Sequence, residues 1–199
     1  GDLSRALEQC RTARRLGAAS AEALAAEGLI HSISGDEARS GRCFGAALTL
    51  KPDCGEAHYI VGRACLTARD FASAEALFLQ AARLRPADYH SLLLAAKARL
   101  GRGDAEGARA ICVAALPRIE AALTERPDDH RALCDKARVL LQAGRGQEAE
   151  ALMETISESA DPLNYYLACT YAAAGEPRRA LEVLEEIVEL GWRHRSWLE

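Results

Sequence analysis

Cysteine and histidine are the residue types in this chain that could bind a metal ion or form disulfides. The 199 residues include seven cysteines and five histidines, but no CxxC pair and no His/Cys cluster with zinc spacing. The cysteine number is odd, and most cysteines lie where a small buried apolar residue is expected. We therefore predict no metal site, no cofactor and reduced core thiols at Cys10, Cys43, Cys54, Cys65, Cys112, Cys134 and Cys169.

Catalytic motifs are the next feature that could carry chemistry. The sequence contains no Gly-rich phosphate loop, no HExxH, no GxSxG and no kinase signature. The Glu-rich run EVLEEIVEL has carboxylates at helical spacing but no second acidic cluster to face it, which is typical of a solvated helix face. We predict that the chain is not an enzyme and has no catalytic residues.

Composition and charge narrow the class of protein further. Apolar residues make up 49% of the chain but aromatic residues only 5%, and much of the apolar fraction is alanine, which favours closely packed helices. The net charge of −4 argues against a nucleic-acid partner. No apolar run reaches the roughly 18 residues of a membrane span, and no secretory leader is present, so we expect a cytoplasmic protein with no membrane partner.

A repeat with a period of 34 residues organises the sequence. Pro52 and Pro86 are one period apart, and so are Gly28 and Gly62. The segments LIHSISGDEARSGRCFGAALTLKP and RACLTARDFASAEALFLQAARLRP align without a gap. Several independent residue classes share this register, so the repeat marks a recurring structural unit.

Each recurring residue has a physical task in a helix hairpin. Small residues allow the two helices of a hairpin to approach closely: Gly28, Gly62, Ala96, Ala137 and Ala168 on the first helix, and Ala6, Ser40, Ala74, Ala108, Ala149 and Ala180 on the second. Glycine tolerates a positive φ in the tight turn, which suits Gly35, Gly103, Gly144 and Gly175. Asp36, Asp70 and Asp104 then cap the helix that follows.

The repeat predicts an all-α fold of about eleven helices. We place one array at 1–191, with an orphan second helix at 1–17, hairpins at about 20–51, 54–85, 88–126, 129–158 and 161–191, and a truncated capping tail at 192–199. The fourth period is seven residues longer, because Pro86 and Pro127 are 41 residues apart. We expect the extra residues to lengthen one helix, which Pro117 should kink or break.

This pattern resembles the tetratricopeptide repeat (TPR) over nearly the whole chain. The resemblance implies a right-handed superhelical solenoid of antiparallel hairpins whose first helices line a concave groove. The segment LNYYLACTYAAAGEPRRALEVLEEIVELGWRHRSWLE is similar to the end-of-group TPR segment of bacterial multidomain proteins, attached there to nucleotide cyclases, kinases or winged-helix regulators. It implies a non-catalytic regulatory or scaffolding arm of a signalling protein, which binds a protein or peptide.

Outward positions on the first helices supply the predicted groove residues. Arg63, Lys97 and Arg138 occupy the same place in three successive hairpins, and such a row of cations suits an acidic peptide. The alternative is that these are solvated charges paired with acidic residues of neighbouring helices. The full predicted groove set is Tyr59, Arg63, His90, Leu93, Lys97, Arg131, Arg138 and Tyr165.

Both ends of the array lack the polar cap that a solenoid needs, so we expect either a segment of a longer protein or a homodimer through the terminal helices. Leu3, Leu7, Cys10 and Leu16 would face a missing helix at the start. Trp192 and Trp197 would cover the open end after the last hairpin. Self-association is therefore the alternative function.

Overall fold

Eleven α-helices and no strand make up the described part of the chain, residues 3–15, 20–158 and 165–189 of a computed structural model. This confirms the all-α fold class. None of these helices is both long and apolar enough to cross a bilayer. In order, the helices are α1 (Leu3–Arg15), α2 (Ala21–Ile33), α3 (Glu37–Leu50), α4 (Gly55–Thr67), α5 (Phe71–Leu84), α6 (Tyr89–Gly101), α7 (Ala105–Glu125), α8 (His130–Gln142), α9 (Gly146–Ser157), α10 (Tyr165–Ala174) and α11 (Pro177–Glu189).

Aspartate side chains cap the N-termini of the second helices of three hairpins, as predicted. The Asp36 carboxylate accepts a hydrogen bond from the backbone N–H of Arg39 at 3.0 Å, and Asp70 accepts one from Ser73 at 3.2 Å. These contacts satisfy backbone donors that have no partner within the first turn. Asp104 does the same for Gly107 at 2.8 Å.

The turns between the helices of a hairpin use the left-handed backbone region. The four predicted glycines have φ between 78° and 85°, which confirms their role: Gly35, Gly103, Gly144 and Gly175. Arg69 stands at the equivalent place in the α4–α5 hairpin, with φ of 62°. A residue with a Cβ atom pays for this conformation with a steric clash, so the Arg69 turn is strained.

Two compact units divide the chain, Gly1–Ile111 and Cys112–Glu199. In the N-terminal unit, α1 packs on α2, α2 on α3, α4 on α5 and α5 on α6. In the C-terminal unit, α8 packs on α9, and α10 packs on α8 and α11. The single array predicted for 1–191 stays a prediction, and the predictions about Leu16, Trp192 and Trp197 lie outside the described residues.

α7 is the long helix that the extended period predicts. Its 21 residues compare with 13 in α6 and 13 in α8. The sequence predicted that Pro117 would either kink or break this helix. The helix continues through Pro117, so the predicted break is wrong. Proline has no N–H to donate, so the Val113 carbonyl lacks its usual partner four residues on.

Close contact between helices within a hairpin depends on the repeated small residues. A Cβ atom added to Gly28 would lie 2.6 Å from the Phe44 ring, and one added to Gly62 would lie 3.0 Å from the Phe78 ring. Phe78 is completely buried. Each phenylalanine therefore rests directly on the backbone of the first helix of its own hairpin.

Gly62→Ala should lower the free energy of unfolding by about 1–3 kcal/mol, because the new methyl group overlaps a buried ring that has nowhere to move. Gly45→Ala is the matched control, since nothing lies within 4 Å of the position of its Cβ atom. Alanine is the better helix former there, so this variant should gain up to about 1 kcal/mol. Urea denaturation measures both, and equal effects would contradict the packing argument.

Candidate functional site

A cavity of about 430 Å³ opens where three helices of the N-terminal unit end or begin. Leu66 and Thr67 come from the end of α4, Phe71 begins α5, and the last turn of α6 completes the lining. The lining side chains are mostly apolar, and Leu100 is 54% exposed. The lining residues are Leu66, Thr67, Phe71, Lys97, Leu100 and Gly101.

Gly101 allows Phe71 to take its place in the cavity wall. A Cβ atom on Gly101 would lie 2.7 Å from the Phe71 ring, so the absence of a side chain brings the ring against the end of α6. The guanidinium carbon of Arg69 lies 5.9 Å from the centre of the same ring, a cation–π arrangement. The strained turn thus places a cation beside the cavity.

Lys97 and Arg63 are exposed on α6 and α4, one repeat apart. Within the part of the chain that the structure describes, neither has an ion-pair partner within 4.0 Å. The same holds for Arg69. Lys97 lines the cavity itself. Arg63 precedes the cavity residue Leu66 by three positions on α4, so Arg63 and Leu66 lie on the same face of that helix.

The corresponding basic residues of the C-terminal unit are engaged within that unit. Arg138 donates to the carboxylate of Asp135, which is 2% exposed. Arg131 lies 4.0 Å from the same carboxylate, and its guanidinium carbon is 5.3 Å from the centre of the Tyr166 ring. Arg131 and Arg138 are thus paired with an acid of their own helix rather than of a neighbouring helix, whereas Arg63 and Lys97 have no ion-pair partner in the described ranges. The predicted role of all four residues in a groove stays a prediction.

The remaining predicted groove residues take part in internal packing to different degrees. Tyr59 is half-buried, packs edge-on against Phe78 with ring centres 6.0 Å apart, and has the Arg85 guanidinium 5.3 Å from its own ring centre. The His90 ring lies 4.0 Å from that of Tyr89, and Leu93 is half-buried. In the C-terminal unit, a hydrogen bond with the Cys169 thiol is the main cause that raises the pKa of Tyr165.

A buried carboxylate fastens the end of α6 to α5 and so positions the cavity wall. Glu75 is 4% exposed, and its two carboxylate oxygens accept hydrogen bonds from Arg99 and Arg102, each at 2.7 Å. Burial alone would raise the pKa of Glu75, but the hydrogen bonds and charges of the two arginines outweigh it and lower that pKa. Both arginines flank Leu100 and Gly101 of the cavity.

Lys97 is the cavity residue that belongs to the groove set predicted from the sequence, whereas Phe71 and the neighbouring Arg69 were not predicted. Phe71 belongs to a second helix, and the sequence gives no sign that its ring turns towards the end of α6. Arg69 did leave a signal, because it replaces a glycine that the other hairpins carry at this turn.

Two tetratricopeptide repeat family models match the chain, one over residues 34–89 and one over residues 113–166, together just over half of it. Solved structures similar to it include YrrB, described as a TPR protein with an unusual peptide-binding site. That match has 19% identity, covers 98% of this chain and 94% of the other, and has a TM-score of 0.53.

A tetratricopeptide repeat protein from Parabacteroides merdae is similar over 98% of this chain and 75% of its own, with 18% identity and a TM-score of 0.60. MamA is similar over 79% of this chain and 88% of its own, with 17% identity and a TM-score of 0.53. At these identities the likeness concerns the fold. The curated proteins gave no match.

Glu75→Gln should lower the free energy of unfolding by about 1–3 kcal/mol at pH 7, because two charge-assisted hydrogen bonds are lost. A lowered carboxylate pKa stabilises the fold above the ordinary glutamate pKa, and this contribution is lost as the pH falls through the folded-state value. The difference between the variant and the native chain should therefore shrink in acid. Urea denaturation at neutral and acidic pH checks this, and a constant difference would contradict it.

Arg69→Gly should raise the free energy of unfolding by up to about 1 kcal/mol, because glycine relieves the left-handed strain, offset by its greater unfolded-state freedom. The reciprocal change Gly103→Arg introduces the same strain where φ is 85° and nothing lies within 4 Å of the added Cβ atom. It should destabilise the chain. Thermal melts of both variants measure the effect, and a lower melting temperature for Arg69→Gly would show that the turn is not strained.

Proposed function

We propose that this chain, which belongs to the tetratricopeptide repeat family, binds an acidic peptide segment on the face of the N-terminal unit that carries Arg63, Lys97 and the α4–α6 cavity. At the coarser level, the family identifies the chain as a protein–protein interaction module. Repeat proteins of this kind present extended surfaces to other polypeptides. We further propose that the module catalyses nothing itself.

The observation that carries the proposal is the pair of cations, without ion-pair partners in the described ranges, beside an apolar cavity. Surface cations are commonly paired with a nearby acid of the same chain, as Arg138 is with Asp135 three residues earlier on α8. Arg63 and Lys97 remain available to an external carboxylate. Opposite charge on the partner would steer its approach and fix its register.

The cavity supplies the second element of recognition. Its volume of about 430 Å³ and its apolar walls fit one or two aliphatic or aromatic side chains of a partner. Burying one such side chain gains about 1.5–3 kcal/mol, which is enough to anchor a peptide whose charges alone would bind weakly. The proposed ligand is therefore an extended acidic segment with an apolar anchor residue.

Arg69 adds a third cation at the edge of the same cavity. Its left-handed backbone is unfavourable, and strain of this kind concentrates at functional positions where the side chain is needed. We propose that the guanidinium, stacked on Phe71, contacts the acidic segment beside the anchor residue. On this proposal the stabilising Arg69→Gly change weakens binding, which is the usual relation between strain and function.

The double variant Arg63→Ala/Lys97→Ala should weaken binding of an acidic peptide roughly three- to tenfold and flatten its salt dependence. The probes are fluorescently labelled nonapeptides in a matched set of four: acidic or neutral, each with a central leucine or a central serine. Fluorescence anisotropy gives the affinities. Leu100→Ser should instead remove the preference for leucine while keeping the preference for acid.

Arg83→Ala is the control for the single variants Arg63→Ala and Lys97→Ala, because each of the three removes one exposed positive charge and Arg83 lies on α5 rather than on the proposed face. It should leave all four affinities nearly unchanged. An equal loss in Arg83→Ala would show that net charge alone drives binding. Identical affinity of the native chain for all four peptides would eliminate the proposal.

Two finer statements remain predictions. One is attachment to a bacterial signalling protein as a regulatory or scaffolding arm. The other is the alternative function, self-association through the terminal helices.

A further inference from the structure

Three side chains that can ligate a metal meet inside the α2–α3 hairpin. Glu27 and His31 belong to α2, and Cys43 belongs to α3. Their carboxylate oxygen, imidazole nitrogen and thiol sulfur all lie within 4.8 Å of one another. Glu27 is 7% exposed and His31 is 6% exposed, so the group faces the interior of the N-terminal unit.

The donor atoms lie close enough together for one metal ion to draw them in. Glu27 Oε1 and His31 Nε2 are 4.0 Å apart on successive turns of one helix, and the Cys43 sulfur lies within 4.8 Å of both. In a zinc site with metal–ligand bonds of about 2.0–2.3 Å, neighbouring donor atoms lie about 3.3–3.7 Å apart. Side-chain rotations that shorten the donor–donor distances by up to about 1.5 Å would therefore bring the three groups into coordination range.

The next repeat shows that the fold does not require polar residues here. One period of 34 residues converts Glu27 to Val61, His31 to Cys65 and Cys43 to Leu77. These equivalents are apolar and lie in or against a hydrophobic cluster shared by α2, α3, α4 and α5. Because hydrophobic residues satisfy the same positions, the polar set in the first complete hairpin is a local specialisation.

The chemistry of the three donors also suits a shared ligand. Removing a carboxylate from water costs several kcal/mol unless a cation or hydrogen bonds compensate it. His31 lies one helical turn from Glu27, and Glu27 and Cys43 both take part in further interactions of the fold. A Glu–His pair does not require a thiol from the neighbouring helix, whereas a metal ion makes use of all three groups.

We propose that Glu27, His31 and Cys43 bind one Zn²⁺ ion, with water in the fourth position, and that the ion links α2 to α3. Mixed nitrogen, sulfur and carboxylate ligands suit zinc, whereas magnesium and calcium prefer oxygen alone. The ion stabilises the hairpin, because it binds the folded chain and the site does not exist in the unfolded one.

The test is titration of the reduced, metal-free chain with Co²⁺, which replaces zinc and reports thiolate coordination by a near-ultraviolet charge-transfer band. We expect one equivalent to bind with this band and with visible bands of tetrahedral cobalt, and Zn²⁺ to displace it. Zn²⁺ should also raise the melting temperature. Cys43→Ser should abolish the charge-transfer band and weaken zinc binding at least about tenfold.

Two further variants keep the result interpretable. Glu27→Val/Cys43→Leu installs the residues of the next repeat, so it should fold and lose the metal-dependent shift in melting temperature. Cys65→Ser removes a thiol outside the group and should bind cobalt as the native chain does. Absence of a cobalt band in the native chain, or an undiminished band in Glu27→Val/Cys43→Leu, would overturn the proposal.

Discussion

The contact between an aromatic ring and the bare backbone of a facing helix is the constraint on which the hairpins depend. The Phe78 ring would lie 3.0 Å from a Cβ atom on Gly62, and the Phe44 ring 2.6 Å from one on Gly28. The ring of the second helix therefore packs against the backbone of the first helix in each of these hairpins. The outward face of the first helix takes no part in this closure, so it can carry residues chosen for a partner.

The candidate binding face lies on the outward side of these first helices, which does not take part in closing the hairpins. Lys97 and Arg63 project from first helices whose other sides are already packed, and the cavity forms where the helix ends leave a gap. Glu75 on α5 forms ion pairs with Arg99 and Arg102, which hold the end of α6 against α5. Rigid backing matters for recognition, because a preorganised surface loses less conformational entropy when its ligand binds.

Local rules made most of the fold predictable from sequence, because caps, turn glycines and small contact residues act within one repeat. Asp36, Asp70 and Gly103 illustrate this, since each works through its own backbone neighbours. The pairing of Arg138 is also local, because Asp135 stands three residues earlier on the same helix, where Lys97 has Leu94 instead. Contacts between helices were harder to foresee. The i, i+4 spacing of Glu27 and His31 is visible in the sequence, but their proximity to Cys43 depends on how α3 packs.

Buried carboxylates in this chain differ in the cations that accompany them. Glu75 is held by two arginines and Asp135 lies beside two more, and a guanidinium keeps its charge at every physiological pH. Glu27 has a different set of neighbours, because the His31 imidazole of its own helix and the Cys43 thiol of α3 both lie within 4.8 Å of its carboxylate. On the zinc proposal, a divalent ion shared by these three groups would place a fixed positive charge beside Glu27, as the arginines do beside Glu75 and Asp135. A carboxylate and an imidazole one helical turn apart can also form an ordinary pair, so the Cys43 thiol is the ligand on which the zinc proposal depends most.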